Sequence, residues 1–127
     1  MLVGDNGNNT LVGDASDQTL IGMGGQDVLY GFGCADTFVF NDSAPSNFDV
    51  IADFESGVDH IGVDHTQFAS INLEVGTYAL GDEATFYWDV YDHTLNCDVD
   101  GFGGAAGVRV SYIPGVTVLN AGDLIFV

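Results

Sequence analysis

Glycine recurs at Gly4, Gly13, Gly22 and Gly31, a strict spacing of nine. So short a unit cannot hold a stable helix, but it has room for one turn and one short strand. The units read GDNGNNTLV, GDASDQTLI, GMGGQDVLY and GFGCADTFV. In each, six residues rich in Gly, Asn and Asp can turn the chain tightly. The remaining three, such as Thr10-Leu11-Val12, make a strand in which only the middle side chain faces inward. Leu2, Leu11, Leu20, Leu29 and Phe38 are therefore expected to form the core column of a solenoid, with Thr10, Thr19, Val28 and Thr37 facing out. A threonine column can hint at ice binding, but β-propensity alone accounts for it here. Leu2 and Val3 read as the tail of a preceding unit, so the chain is expected to start inside a longer array.

Length and charge narrow the function. The chain has 127 residues, one domain's worth, and 46% of them are apolar, enough to close a core. It carries 19 acidic residues against a single base, Arg109, for a net charge of −18. Nothing is available to neutralise phosphates, which excludes nucleic acid as a partner and argues against docking on an anionic membrane. Asp outnumbers Glu by 16 to 3, and there are 18 Gly and 2 Pro, which favours turns and oxygen-rich cation sites over helices. Self-repulsion of this size opposes compaction unless counter-ions enter, and divalent cations are the natural candidates. A salt-adapted acidic surface would give the same composition. No transmembrane run is present, and the first 30 residues hold no Lys or Arg and no apolar h-region of a signal peptide. The two cysteines, Cys34 and Cys97, make no framework. They can pair with each other or stay as packed thiols.

The units and the segments after them carry a resemblance. Gly22 to Tyr30 fits the nonapeptide G-G-x-G-x-D-x-U-x with one departure, Met23, and Gly31 to Val39 keeps its first Gly, Asp36 and inward Phe38 but has Cys34 for a Gly. The first two units depart more, with Asn9 and Gln18 at the Asp position. ADTFVF and then DVIADFESGVDHI come next, and LNCDVD with GFGG comes later. Together these resemble the C-terminal domain of RTX proteins, the hemolysin-type calcium-binding repeat family of type I secreted proteases, lipases and epimerases. The resemblance implies an all-β fold in one compact unit, with a short parallel β-roll over residues 1–40 and a mostly antiparallel β cap over residues 41–127. It implies calcium held between turns n and n+2 on one edge of the roll by sixth-position side chains and loop carbonyls, since calcium accepts six to eight oxygens in flexible geometry. Here that pairs Asn9 with Asp27 and Gln18 with Asp36, one amide and one carboxylate each. Asp53 is a candidate ligand for a last calcium or, equally, a turn cap. The final Asp123-Leu124-Ile125-Phe126-Val127 looks like the uncleaved export signal of type I secretion substrates, and it also reads as an ordinary last strand. The resemblance thus implies a secreted, monomeric chain whose partners are calcium ions and the type I secretion machinery.

Other motifs carry less. Asn96-Cys97-Asp98-Val99-Asp100-Gly101 matches the first half of an EF-hand loop, but Gly107 stands at the twelfth position in place of Glu. It reads as a β-turn between strands at 85–91 and 107–113. His60, His65 and His93 each follow an Asp, at spacings that suit no known zinc loop, and read as surface residues at strand ends. No nucleophile elbow, metalloprotease motif or Cys–His grouping is present, so this chain is not expected to be an enzyme. The alternating Phe86, Tyr87, Trp88 and Tyr91 fit a strand, as core or as a sugar-stacking platform. Two rival functions stay open: an accessory carbohydrate-binding module of a polysaccharide-modifying enzyme, or a structural adhesin or surface-layer module.

Overall fold

The computed structural model describes residues 1–40, 48–63, 72–73, 85–89, 93–98, 108–116, 119 and 121–127. Each nonapeptide contributes one strand at its end: β1 (Leu2–Val3), β2 (Thr10–Val12), β3 (Thr19–Ile21), β4 (Val28–Tyr30) and β5 (Thr37–Phe40). The six-residue turns throw successive strands to opposite sides. Leu2 therefore pairs with Leu20 and Leu20 with Phe38 in one sheet, while Leu11 pairs with Leu29 in the other, all parallel. The stacking continues past the repeats. β6 (Asp49–Ile51) lies parallel to β4, and β7 (His60–Val63) lies parallel to β5.

The sheets then diverge. Among the described residues, β12 (Leu124–Phe126) adds to β7 in parallel and ends a five-stranded sheet of order β1-β3-β5-β7-β12. The other sheet has seven described strands. β8 (Asn72–Leu73), β9 (Thr85–Asp89), β10 (Thr94–Asp98) and β11 (Val108–Tyr112) extend it in the order β2-β4-β6-β11-β10-β9-β8. β10 is antiparallel to both β9 and β11, whereas β11 meets β6 in parallel. No α-helix occurs among the described residues, and the one helical feature there is a 3-10 turn at Ala121–Asp123. The fold is all-β.

The inward column behaves as the alternation requires. Leu20, Leu29, Phe38, Ile51 and Ile61 are all fully buried, while Leu2 and Leu11, at the open N-terminal end, are only partly buried against them. Burying one such side chain fully contributes about 1.5–3 kcal/mol. Phe54 tilts against Phe38 with ring centroids 6.1 Å apart, and Leu95, Ile113, Leu119 and Leu124 carry the core into the C-terminal half.

Three expectations change. Asn96 and Asp98 do not lie in a β-turn between two strands; they lie within β10, a strand between β9 and β11. Leu95 is fully buried there, and the Asn96 amide donates to the Thr94 carbonyl at 3.1 Å and hydroxyl at 3.0 Å, so the loop-like composition hides an inward apolar position. Cys34 is neither paired nor packed. It is an exposed free thiol 3.2 Å from the Ala15 carbonyl oxygen. His93 is not at the surface but part-buried, its ring Nδ1 2.6 Å from the Val116 carbonyl oxygen. His60 opens β7, half-buried; His65 and Tyr91 lie outside the described residues.

Candidate metal centre

The nine-residue glycine spacing has a local cause common to all four units, to which a backbone carbonyl of the neighbouring coil adds at Gly4 and Gly13. In every unit the sixth-position side chain folds back over the first-position Cα. A Cβ at Gly4 would sit 2.5 Å from Asn9 Oδ1, and one at Gly13, Gly22 or Gly31 would collide with Gln18 Oε1, Asp27 Oδ2 or Asp36 Oδ2. What the returning oxygen does differs between units. Asn9 Oδ1 accepts the Asp5 N–H at 2.8 Å, and Gln18 Oε1 accepts the Asp14 N–H at 2.9 Å, so both amide-bearing turns close on themselves. Asp27 Oδ2 and Asp36 Oδ2 are buried and accept no hydrogen bond.

The other carboxylate oxygens stitch neighbouring coils together. Asp27 Oδ1 accepts the Asn9 N–H at 2.7 Å, and Asp36 Oδ1 accepts the Gln18 N–H at 3.0 Å. The structure thus brings together both sixth-position pairs expected from the repeat. It also extends each pair by one residue. Asp49 Oδ1 accepts the Asp27 N–H at 3.0 Å, and Asp59 Oδ1 accepts the Asp36 N–H at 3.0 Å. The result is two ladders, Asn9–Asp27–Asp49 and Gln18–Asp36–Asp59, and their four aspartates are all buried.

Reading the sequence by its period misses Asp49 and Asp59, because they stand 22 and 23 residues after their partners where the repeat steps 18. A local signal is present. Each stands two places before a fully buried apolar residue, Ile51 or Ile61, just as Asp27 stands two before Leu29 and Asp36 two before Phe38. Asp53 sits beside the fourth turn. Its Oδ1 accepts the Gly31 N–H at 2.9 Å and its Oδ2 the Phe32 N–H at 2.7 Å, a turn-capping arrangement.

Burial pushes the Asp27 and Asp36 carboxyls above the ordinary aspartate value. The N–H bonds from Asn9 and Gln18 oppose the shift, while nearby acids add to it: Asp5 for Asp27, and Asp59, Asp53 and Asp17 for Asp36. A buried carboxylate oxygen with no partner is costly unless a cation meets it. Both oxygens are hard donors, the donor chemistry calcium prefers. These residues fit a calcium ion. No group of three or more His, Cys, Asp or Glu side chains suited to a metal occurs among the described residues, so loop carbonyls would have to complete any shell.

A sequence model of the family described as Peptidase M10 serralysin C terminal matches residues 3–125, nearly the whole chain. No curated protein matches it. The matched region is the part of serralysin-type proteases that follows the catalytic domain, an RTX repeat domain of type I secreted proteins.

Proposed function

We propose, since the chain belongs to the serralysin C-terminal family, that it is a non-catalytic module that folds on binding calcium outside the cell and supports type I export of a larger secreted protein. The observation that carries this reading is the pair of buried, partnerless oxygens, Asp27 Oδ2 and Asp36 Oδ2. Without a cation these carboxylates oppose folding; with one they favour it. Residues 1–40 supply the repeat-borne ligands, Asp27 with Asn9 and Asp36 with Gln18. Residues 41–127 close the roll and end in the export signal. Asp53 is the candidate ligand beside the last turn, since a carboxylate oxygen that accepts one hydrogen bond keeps a second lone pair.

Calcium supplies positive charge where the coils bring carboxylates together. Because it binds the folded chain and not the unfolded one, it stabilises by an amount that grows with the logarithm of its concentration. Scarce calcium inside a cell leaves the chain loose for export, and abundant calcium outside folds it. Circular dichroism tests this. Chelator is expected to lower the melting temperature or abolish the β signal, with recovery on adding calcium. Magnesium should restore much less, because it demands octahedral geometry and gives up water reluctantly. Identical melting curves with and without chelator would sink the proposal.

A further inference from the structure

The second ladder ends on a turn that also holds the C-terminal strand. Asp59 uses both carboxylate oxygens: Oδ1 accepts from the Asp36 N–H at 3.0 Å, and Oδ2 accepts from the Glu55 N–H at 2.8 Å. Glu55 closes the same turn, its carbonyl accepting from the Val58 N–H at 3.1 Å and the Asp59 N–H at 2.8 Å. At the tip, Gly57 takes a left-handed conformation with φ 87°, and its N–H donates to Asp123 Oδ1 at 3.0 Å. The Ser56 hydroxyl donates to Asp123 Oδ2 at 2.6 Å. Asp123 is itself buried and immediately precedes β12, whose strand pairs with β7 along Leu124–Ile61, Ile125–Gly62 and Phe126–Val63. One turn of five residues therefore has the Asp36–Asp59 ladder on one side and the last strand on the other.

We propose that Asp123 is a positioning residue for the Asp36 cation site. It grips the tip of the 55–59 turn, which fixes Asp59 against the Asp36 backbone. Seating of β12 and affinity for calcium then rise and fall together. The inference rests on the calcium reading above and deepens it, since it assigns the acidic residue of the C-terminal segment a task in the folded chain. Coupling of this kind is reciprocal: if a seated β12 tightens calcium binding, calcium must tighten the seating of β12 by the same factor. No strand contacts the ion in this account. The communication runs through the charge-assisted hydrogen bonds of one turn, which are stronger than neutral ones.

The test measures calcium binding by titration calorimetry on the full chain and three variants, together with hydrogen exchange of the Val127 amide, which donates to the Val63 carbonyl at 3.0 Å. Asp123→Ala is expected to weaken calcium binding about tenfold, a fraction of what two bonds to a charged group are worth, because only part of the loss at the turn tip reaches Asp59. Asp123→Asn, which keeps an acceptor for the Gly57 N–H, should recover most of that loss. Ser56→Ala removes one bond and leaves the C-terminal segment intact; it should weaken binding about threefold, and it decides the matter if Asp123→Ala does not fold. Calcium should slow Val127 exchange in the native chain and fail to do so in Asp123→Ala. Unchanged calcium affinity in the variants, with faster Val127 exchange, would overturn the coupling and leave the calcium reading standing. A native chain that binds no calcium would overturn both.

Discussion

The first two turns of the roll and the next two share a nine-residue plan, yet they close by different physics. In the turns at residues 4–9 and 13–18, side chains do the closing. Asp5 Oδ1 accepts the Gly7 N–H at 2.8 Å and Asp14 Oδ1 the Ser16 N–H at 2.9 Å, while Asn9 and Gln18 cap the second-position N–H groups. Backbone donors that would otherwise compete with water are met locally. In the turns at residues 22–27 and 31–36 the backbone itself bends left-handed, at Met23 (φ 73°), Gly25 (φ 95°), Phe32 (φ 70°) and Cys34 (φ 69°). There the sixth-position aspartates keep one buried oxygen each with no partner. An amide in the sixth position makes a turn that is complete by itself. A carboxylate leaves one buried oxygen without a partner, the place the proposed cation would fill.

The largest effects should come from the core beneath these turns. Leu29→Ala removes a fully buried side chain and is expected to cost about 2–5 kcal/mol in denaturant unfolding. Leu11→Ala, half-buried at the open end, should cost well under that. Equal losses would mean that the N-terminal coil is packed as tightly as the third, and would erase the gradient along the roll.

Next comes the first-position glycine. Gly31→Ala would drive a Cβ into the Asp36 carboxylate and to within 3.0 Å of the Phe38 ring, and is expected to cost about 1–3 kcal/mol. Gly33→Ala meets only Ala15, at 3.5 Å, and should be close to neutral by the same denaturant measurement. A smaller, opposite effect is expected at Cys34. Returning the fourth position to glycine with Cys34→Gly relieves a left-handed residue that bears a side chain, for a gain of about 1 kcal/mol. A loss in thermal melting would show that the thiol's contact with Ala15 matters more than the strain.

Much of this is legible in the residues. The period locates β1 to β5, the inward column and the n to n+2 pairing, because a nine-residue unit admits little else. Asp49 and Asp59 escape it because four and five extra residues break the period, although each still stands two places before a buried Ile. Asp123 reads as part of a C-terminal signal, and nothing in its neighbours announces a bond to Ser56 and Gly57, 67 and 66 residues away. The strand at Thr94–Asp98 is hidden for the opposite reason: turn-forming residue types occupy a segment whose place is set by pairing on both sides.

Acidity separates the two kinds of turn more finely. The Asp27 and Asp36 carboxyls lie above their unfolded value, so the folded chain binds protons more tightly than the unfolded one. Their contribution therefore favours folding below the unfolded value and is lost as pH rises through the raised folded values. In chelator, melting temperature should climb as pH is lowered from neutrality towards that range, helped by relief of the net charge of −18. With calcium bound the carboxylates prefer the charged form, and the slope should flatten or reverse. The same slope in both conditions would remove the cation from these two sites.

The double variant Asp27→Asn, Asp36→Asn converts the second kind of turn toward the first, and so separates turns that need a cation from turns that do not. Calorimetric titration with calcium and melting in chelator are to be run on it beside the native chain. Calcium binding should be lost, while the melting temperature in chelator should equal or exceed that of the native chain, since two buried charges without partners are gone. A double variant that binds calcium as the native chain does, or that is less stable than the native chain in chelator, would contradict the account.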